Sequence, residues 1–306
     1  MPEPTPVVVV GGCGRLGAAV LPAIAQRWPA RRLLSIDLTP LPREAEGVTG
    51  IDGDAGALSP EHLDILRSLG PIQLVWLAAR IGVEPCDEDE IEAMISGNVS
   101  SLAAFLARSG GSVERFVFAG SVEGYGDPPG REAAYREDQP LEPRTAYGIS
   151  KMLAERCASI WCRGRGLPFT SLRFASIYGP GEPLPKAITD FLRAAAAGSE
   201  ITLLGDGSSL RDYVYLTDAA AAVVRALESP VEGPINIAHP ERLSLLDLAE
   251  LAVETCGRGS IRFVDPRTER RDRVMDVTRM RECLGFDCEV DARQGVGMVA
   301  RAEGLH

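Results

Sequence analysis

"VVVVGGCGRLG", Val7 to Gly17, makes two demands on the backbone in quick succession. Four consecutive valines suit a strand buried on both faces of a parallel sheet, where β-branched side chains pack from either side. Gly11, Gly14 and Gly17 follow at three-residue spacing. Glycine tolerates positive φ and lets backbone approach a partner closely, so this spacing predicts a tight turn into a helix. The first amides of that helix, near Arg15 and Leu16, would face an anion such as a pyrophosphate. A merely tight turn needs the same glycines, so the flanking sequence has to decide.

Outward from the turn the rhythm repeats. A helix is expected to about Trp28, then a strand over "RLLSID" that ends on Asp37, 20 residues after Gly17. A carboxylate there can accept both hydroxyls of a ribose and repels a 2′-phosphate, which favours NAD over NADP. The competing reading has Asp37 only capping a turn. Asp54, after the expected third strand, can accept from an adenine amino group or serve as an ordinary loop aspartate. "PIQLVWLAA", "RFVFAG" and "FTSLRFA" read as further strands, with helices at about Ile91 to Ala107 and over "AYGISKMLAERCASIWC". Such alternation predicts an α/β fold with a doubly wound parallel sheet of Rossmann type over residues 1–173. Beyond Arg173 the rhythm breaks at "YGPGEPLP", and residues 174–306 are expected to form a smaller substrate lobe, partly interleaved with the sheet.

Composition narrows the partners. The 306 residues are 45% apolar with a formal net charge of -11, enough for a full core and unfavourable for nucleic acid or an anionic membrane. No stretch reaches 18 apolar residues, and "MPEPTP" has no basic start or apolar run, so a soluble cytoplasmic protein is expected. The seven cysteines are scattered without a C-x-x-C pair, which points to reduced thiols and no metal site.

"AYGISK" sets Tyr147 four residues before Lys151, on one face of the predicted helix. A phenol is a poor base near pH 7 unless a cation favours the phenolate. Lys151 and Lys186 are the only lysines among 32 basic residues, so this pairing with one of six tyrosines arises by chance in only about one such chain in twenty-five. An arginine cannot replace a compact ammonium that bonds a ribose beside a phenol.

Taken together, the glycine turn, Asp37, "LAAR", Asn98-Val99, the serine after the fourth strand, Tyr147-x-x-x-Lys151, "YGPG" and "RDYVYLTDAA" resemble the extended short-chain dehydrogenases/reductases of the NAD-dependent nucleotide-sugar epimerase/dehydratase type. The resemblance spans almost the whole chain. It implies that Ser121, Tyr147 and Lys151 form the catalytic set, and that Ala78, Ala79, Asn98 and Ala175 line the cofactor. It further places Arg80 and Ser176 on the substrate side and puts Arg211, with Arg271 or Arg273, against a diphosphate. The implied reaction is transient oxidation at C4 of the sugar, with epimerisation, dehydration or decarboxylation as the outcome. A two-fold homodimer is expected from Ile149, Met152, Leu153, Ile160 and Trp161, too many apolar residues for one buried stripe of the Tyr147 helix.

Three positions depart from the family pattern: Ser176 stands where an asparagine is usual, and Arg15 and Leu16 replace an aromatic and an isoleucine. Glu123, two residues after Ser121, occupies a position where simple 4-epimerases usually carry a small residue and enzymes that eliminate or decarboxylate often carry a glutamate. Against this, "LAARIGVEP" resembles uronate-type 4-epimerases, and Val122 replaces the aspartate that many 4,6-dehydratases place beside the glutamate. A carboxylate that only bonds loop amides is a further alternative. The same serine, tyrosine and lysine would also serve a dehydrogenase or ketoreductase of a small hydroxylated substrate, whereas a non-catalytic NAD sensor needs none of them.

Overall fold

The structure is a computed structural model that describes residues 4–42, 45–82, 88–109, 113–128, 133–182, 186–265 and 270–305. The first half of the chain runs β1 (Val7–Val10), α1 (Arg15–Arg27), β2 (Leu33–Asp37), β3 (Val48–Asp52), α2 (Pro60–Ser68), β4 (Ile72–Trp76), α3 (Glu88–Ile95), α4 (Ser101–Ser109), β5 (Val113–Ser121), α5 (Ala146–Arg163) and β6 (Phe169–Phe174). The second half runs β7 (Ser176–Tyr178), α6 (Ala187–Ala196), β8 (Glu200–Leu204), β9 (Leu210–Arg211), β10 (Tyr213–Tyr215), α7 (Leu216–Glu228) and β11 (Gly233–Ile237). It ends with β12 (Leu243–Ser244), α8 (Leu245–Cys256), β13 (Ser260–Val264), α9 (Thr278–Leu284) and α10 (Ala292–Ala302).

Seven parallel strands form the central sheet in the order β11-β6-β5-β4-β1-β2-β3. The order reverses between β1 and β4, so the strand ends there open into the crevice where doubly wound sheets bind ligands. The valines of β1 are at most 1% exposed and divide between two cores. Val7 and Val9 face α1, α7 and α9, whereas Val8 and Val10 face α2, α4 and α5. Residues after 173 thus complete the nucleotide-side layers: α7 and α9 cover one face, and β11 closes the sheet beside β6.

Residues after 173 also form a second lobe with its own core, built by α6, α8 and α10 with Tyr178, Tyr213 and Tyr215. Its strands do not pair as hairpins. β8 pairs with β13, β9 with β12 and β10 with β7, so the "EITLLGDGSSLRDYVYL" segment reaches three distant partners. Among the described residues no helix is long and apolar enough to cross a membrane, and no cluster of His, Cys, Asp or Glu could hold a metal ion.

A buried polar network ties β6 to α5 and β11. Arg173 on β6 donates from Nε to Glu155 Oε2 at 3.2 Å and from Nη2 to Oε1 at 2.6 Å, while Ser171 Oγ donates to the same Oε2 at 2.7 Å. Arg173 Nη1 also donates to the Tyr125 hydroxyl at 2.9 Å, which in turn donates to Asn236 Oδ1 on β11 at 2.6 Å. Losing one member of such a buried pair costs about 3–5 kcal/mol, because the other charge is left stranded.

Candidate active site

The turn after β1 shows why its glycines are there. Gly11 has φ of 88°, and a Cβ on it would lie 2.5 Å from the Ala78 nitrogen, so the turn packs directly on the end of β4. A Cβ on Gly17 would collide with the Gly11 carbonyl and the Gly12 backbone. Gly14 is exposed and caps α1 with no side-chain hydrogen bond, which leaves the first amides of the helix to an outside acceptor. Asp37 ends β2 beside this turn. Its Oδ2 accepts from Cys13 N at 2.9 Å and its Oδ1 from Thr39 N at 3.0 Å. Each carboxylate oxygen keeps a lone pair for a ribose hydroxyl. An open helix N-terminus, a glycine cradle and an edge carboxylate together fit NAD.

Three residues of the expected cofactor set spend their side chains elsewhere. Asn98, 1% exposed in a π-helical turn over Ser96–Ser100, accepts from Arg80 N at 2.6 Å. Its amide donates to Arg80 O at 2.9 Å and to Ser150 Oγ at 2.8 Å, so it fixes the loop after Ala78 and Ala79 against α5. Asp54 Oδ1 accepts from Gly56 N at 2.8 Å and Ser101 Oγ at 3.0 Å, the capping arrangement of a short 3₁₀ turn. Arg15 turns its guanidinium to Glu182 of the other lobe at 2.7 Å. Ala175 is buried between the lobes with its amide bonded to Ile237 O, and Ser176 is half-buried at the start of β7.

At the C-terminal end of β5 the chemical groups converge. Ser121 caps a 3₁₀ turn by accepting from Glu123 N at 3.2 Å, and its hydroxyl lies beside the Tyr147 phenol, where it opposes the rise in that group's pKa. A Cβ on Gly148 would collide with the Glu123 carbonyl, so this turn rests directly on the first turn of α5. Tyr147, Lys151 and Glu155 follow at intervals of four along the inner face of that helix. Burial pushes the Tyr147 phenol up to about 12, opposed by the Ser121 hydroxyl and reinforced by the Glu123 charge. Burial pulls the Lys151 ammonium down to about 8, opposed by Glu155, and the ammonium lies 4.5 Å from the centre of the Phe118 ring. Both shifts disfavour the charged forms, so a tyrosinate and an ammonium side by side relieve a cost that each bears alone.

Glu123 does not merely bond loop amides. Its Oε1 receives Arg273 Nη1 at 2.7 Å, with both side chains partly open to solvent. Asp212 holds Arg273 there: its amide donates to Arg273 O at 3.2 Å, and its Oδ2 accepts from Met275 N at 2.6 Å. Burial raises the Asp212 carboxyl to about 7. Arg211 is bridged to Arg273 and donates to the carbonyls of Leu210 and Arg271, and the two like charges lie close enough to act on each other and on the Tyr135 phenol. Arg271 and Arg80 are exposed. The stretch "GVEP" is described only at Gly82.

The Glu155, Arg173, Tyr125 and Asn236 network behind these groups carried a signal in the sequence. Arg173 sits inside a strand otherwise made for burial, and Glu155 falls one helical turn beyond Lys151.

A model of the NAD dependent epimerase/dehydratase family matches residues 7–238. An uncharacterised UDP-glucose epimerase of Bacillus subtilis (strain 168) is 26% identical over 239 residues, 76% of this chain and 75% of that protein. UDP-glucuronic acid decarboxylase 2 of Arabidopsis thaliana is 27% identical over 69% of this chain, and the alignment spans about half of that longer protein, 48%. Among solved structures, MoeE5 in complex with UDP-glucuronic acid and NAD superposes with a TM-score of 0.82 at 27% identity over 98% of this chain and 99% of the other. The UDP-glucose 4-epimerase of Thermus thermophilus with NAD gives 0.81 at 25% identity over 97% and 98%.

Proposed function

The chain belongs to the NAD dependent epimerase/dehydratase family, and we propose that it acts on a nucleotide sugar bearing a carboxylate at C6, through transient oxidation at C4 and loss of that carboxylate. The observation that carries this reading is the Glu123–Arg273 pair, 2.7 Å apart and beside Ser121 and Tyr147. An arginine next to the reacting sugar suits a carboxylate, since its guanidinium offers two parallel donors. Relatives and neighbours named for UDP-glucuronic acid support the same substrate class.

Tyr147, as the phenolate beside Lys151, takes the proton of the C4 hydroxyl. Ser121 donates to the oxygen that becomes the ketone. When bound, NAD supplies the acceptor for the hydride that leaves C4. The C5–C6 bond then breaks, carbon dioxide departs, and the electron pair moves through C5 to the C4 oxygen as an enolate. Ser121 and Tyr147 hold that oxygen while C5 takes up a proton; C4 then takes the hydride back and its oxygen recovers the proton from Tyr147, which restores the starting redox state. Glu123 and Arg273 steer the carboxylate, and Arg211 faces the diphosphate. A second reading, 4-epimerisation of the same uronate, is favoured by the engagement of Glu123 Oε1 with Arg273, which leaves Glu123 less available as a base.

The test is thermal. UDP-glucuronic acid at about a hundred times its Kd is expected to stabilise the NAD-loaded protein by about 2.7 kcal/mol. UDP-glucose, GDP-sugars and dTDP-sugars should shift the melting temperature less. A larger shift with UDP-glucose would remove the carboxylate from the reading, and no shift with any nucleotide sugar would remove the substrate class.

The assembly follows from α3 and α5. Ile149, Leu153 and Ile160 are 40%, 37% and 58% exposed on α5, and Ile91 on the adjacent α3 is 45% exposed. A second copy of the same face would cover them by two-fold symmetry. Light scattering at micromolar concentration should report a dimer of the 32.7 kDa chain, and a monomer would reject the pairing.

A further inference from the structure

Arg15 stands at the first helical position of α1, where the macrodipole disfavours a cation, and where the cofactor turn would offer its amides to a pyrophosphate. Its side chain is drawn across to the other lobe. Arg15 Nη2 lies 2.7 Å from Glu182 Oε2 and donates to Ile177 O at 2.8 Å, and Nη1 donates to Gly179 O at 3.3 Å. Lys186 Nζ reaches the same two acceptors, Glu182 Oε2 and Ile177 O, each at 2.8 Å. The Glu182 side chain is only 3% exposed, against 19% for Arg15 and 27% for Lys186. Burial lowers the pKa of both cations, and the Glu182 carboxylate opposes that shift in each. One nearly dry carboxylate therefore holds two cations, one from the glycine turn and one from the start of α6. Gly179, whose carbonyl accepts from Arg15, packs closely on α7, since a Cβ there would lie 3.0 Å from Leu216 Cβ.

We infer that Arg15, Glu182 and Lys186 form a clasp that fastens the Ile177–Glu182 segment to the cofactor turn and sets how fast NAD enters and leaves. The inference rests on the placement of NAD in the β1–α1 crevice, though not on the fate of the sugar. A clasp that fastens this segment to the cofactor turn restrains entry as well as exit. A chain that returns its NAD to the starting redox state in each turnover has no need to exchange it, and slow exchange keeps the oxidised and reduced forms with the same substrate molecule.

Charge alone makes a different prediction. If Arg15 and Lys186 served only to attract the pyrophosphate, neutralising Glu182 would leave more positive charge and slow the release. The test follows NADH binding and release by fluorescence in stopped flow, with excess NAD as the chase, on the full chain and on Glu182→Gln and Glu182→Asp. Aspartate keeps the charge but withdraws the carboxylate by one methylene, and it covers the case in which the glutamine variant does not fold. The expected result is that association and release both accelerate at least about tenfold while Kd stays within about threefold. Unchanged or slower release overturns the clasp, and so does faster release explained by a weaker Kd, which would be damage to the site. Failure of the wild-type chain to bind NADH would instead overturn the cofactor placement itself.

Discussion

Tyr147→Phe is expected to slow the first hydride transfer about a thousandfold, within the range a positioned proton acceptor contributes, while NAD and nucleotide-sugar binding stay within about threefold. A loss of that size corresponds to about 4 kcal/mol of transition-state stabilisation. The ring keeps its packing in the phenylalanine variant and only the hydroxyl beside Ser121 disappears. The C4 hydroxyl then has no group to receive its proton. Single-turnover absorbance in the reduced-nicotinamide band measures the step directly, and a rate within tenfold of wild type would take the base role from Tyr147. The same burial gives Lys151 a signed effect on stability. Its pKa in the fold, about 8, lies below the ordinary 10.5. Below pH 8 the folded chain carries the full cost of a buried ammonium. As pH rises from about 8 toward 10.5 the unfolded chain binds more protons than the folded one, so this group's contribution to stability increases across that window.

How much of this was legible in the sequence depends on how local each signal was. The four valines and the glycine turn fixed β1 and α1, because strand burial and positive φ are demands that few residues meet. Tyr147 and Lys151 were legible for the same reason, since spacing of four on a helix places side chains on one face. The fold hid other features in partners far along the chain. β3 is an edge strand with only Ile51 buried, so its alternation is weak. β11 joins the sheet beside β6 across about sixty residues, and nothing within "GPINI" says which strand it will meet. For Arg15 the turn assigned only the backbone amide, to a pyrophosphate. The side chain's partner, Glu182, lies more than 160 residues away, beyond the reach of any periodicity. For Asp54 the local reading of a loop aspartate describes what its Oδ1 does. Glu123 was conspicuous as a carboxylate among glycines, but only the structure brings Arg273 to it.

Glu123→Gln separates the fates of the ketone. The substitution keeps the size of the side chain and an acceptor oxygen toward Arg273 Nη1, but it removes the charge and the capacity to take a proton. If Glu123 with Arg273 steers the substrate carboxylate once C4 is oxidised, the first hydride transfer should proceed at close to the wild-type rate, and completion should fall by about 10²-fold, the loss that a misplaced reacting group produces. Reduced nicotinamide and a 4-keto sugar would then accumulate together in one turnover. In 4-epimerisation the ketone only has to turn over and take the hydride back on its other face, and Tyr147 with Ser121 suffices for the proton. The glutamine variant would then return to the oxidised state at nearly the wild-type rate. The reverse substitution at its partner sharpens the contrast. Arg273→Met keeps an apolar stem and deletes the guanidinium, so a carboxylate-bearing sugar should lose affinity while UDP-glucose does not. A glutamine variant that completes the cycle with no absorbance left in the reduced band would rule out the decarboxylating role of Glu123 and leave epimerisation of the uronate as the reaction.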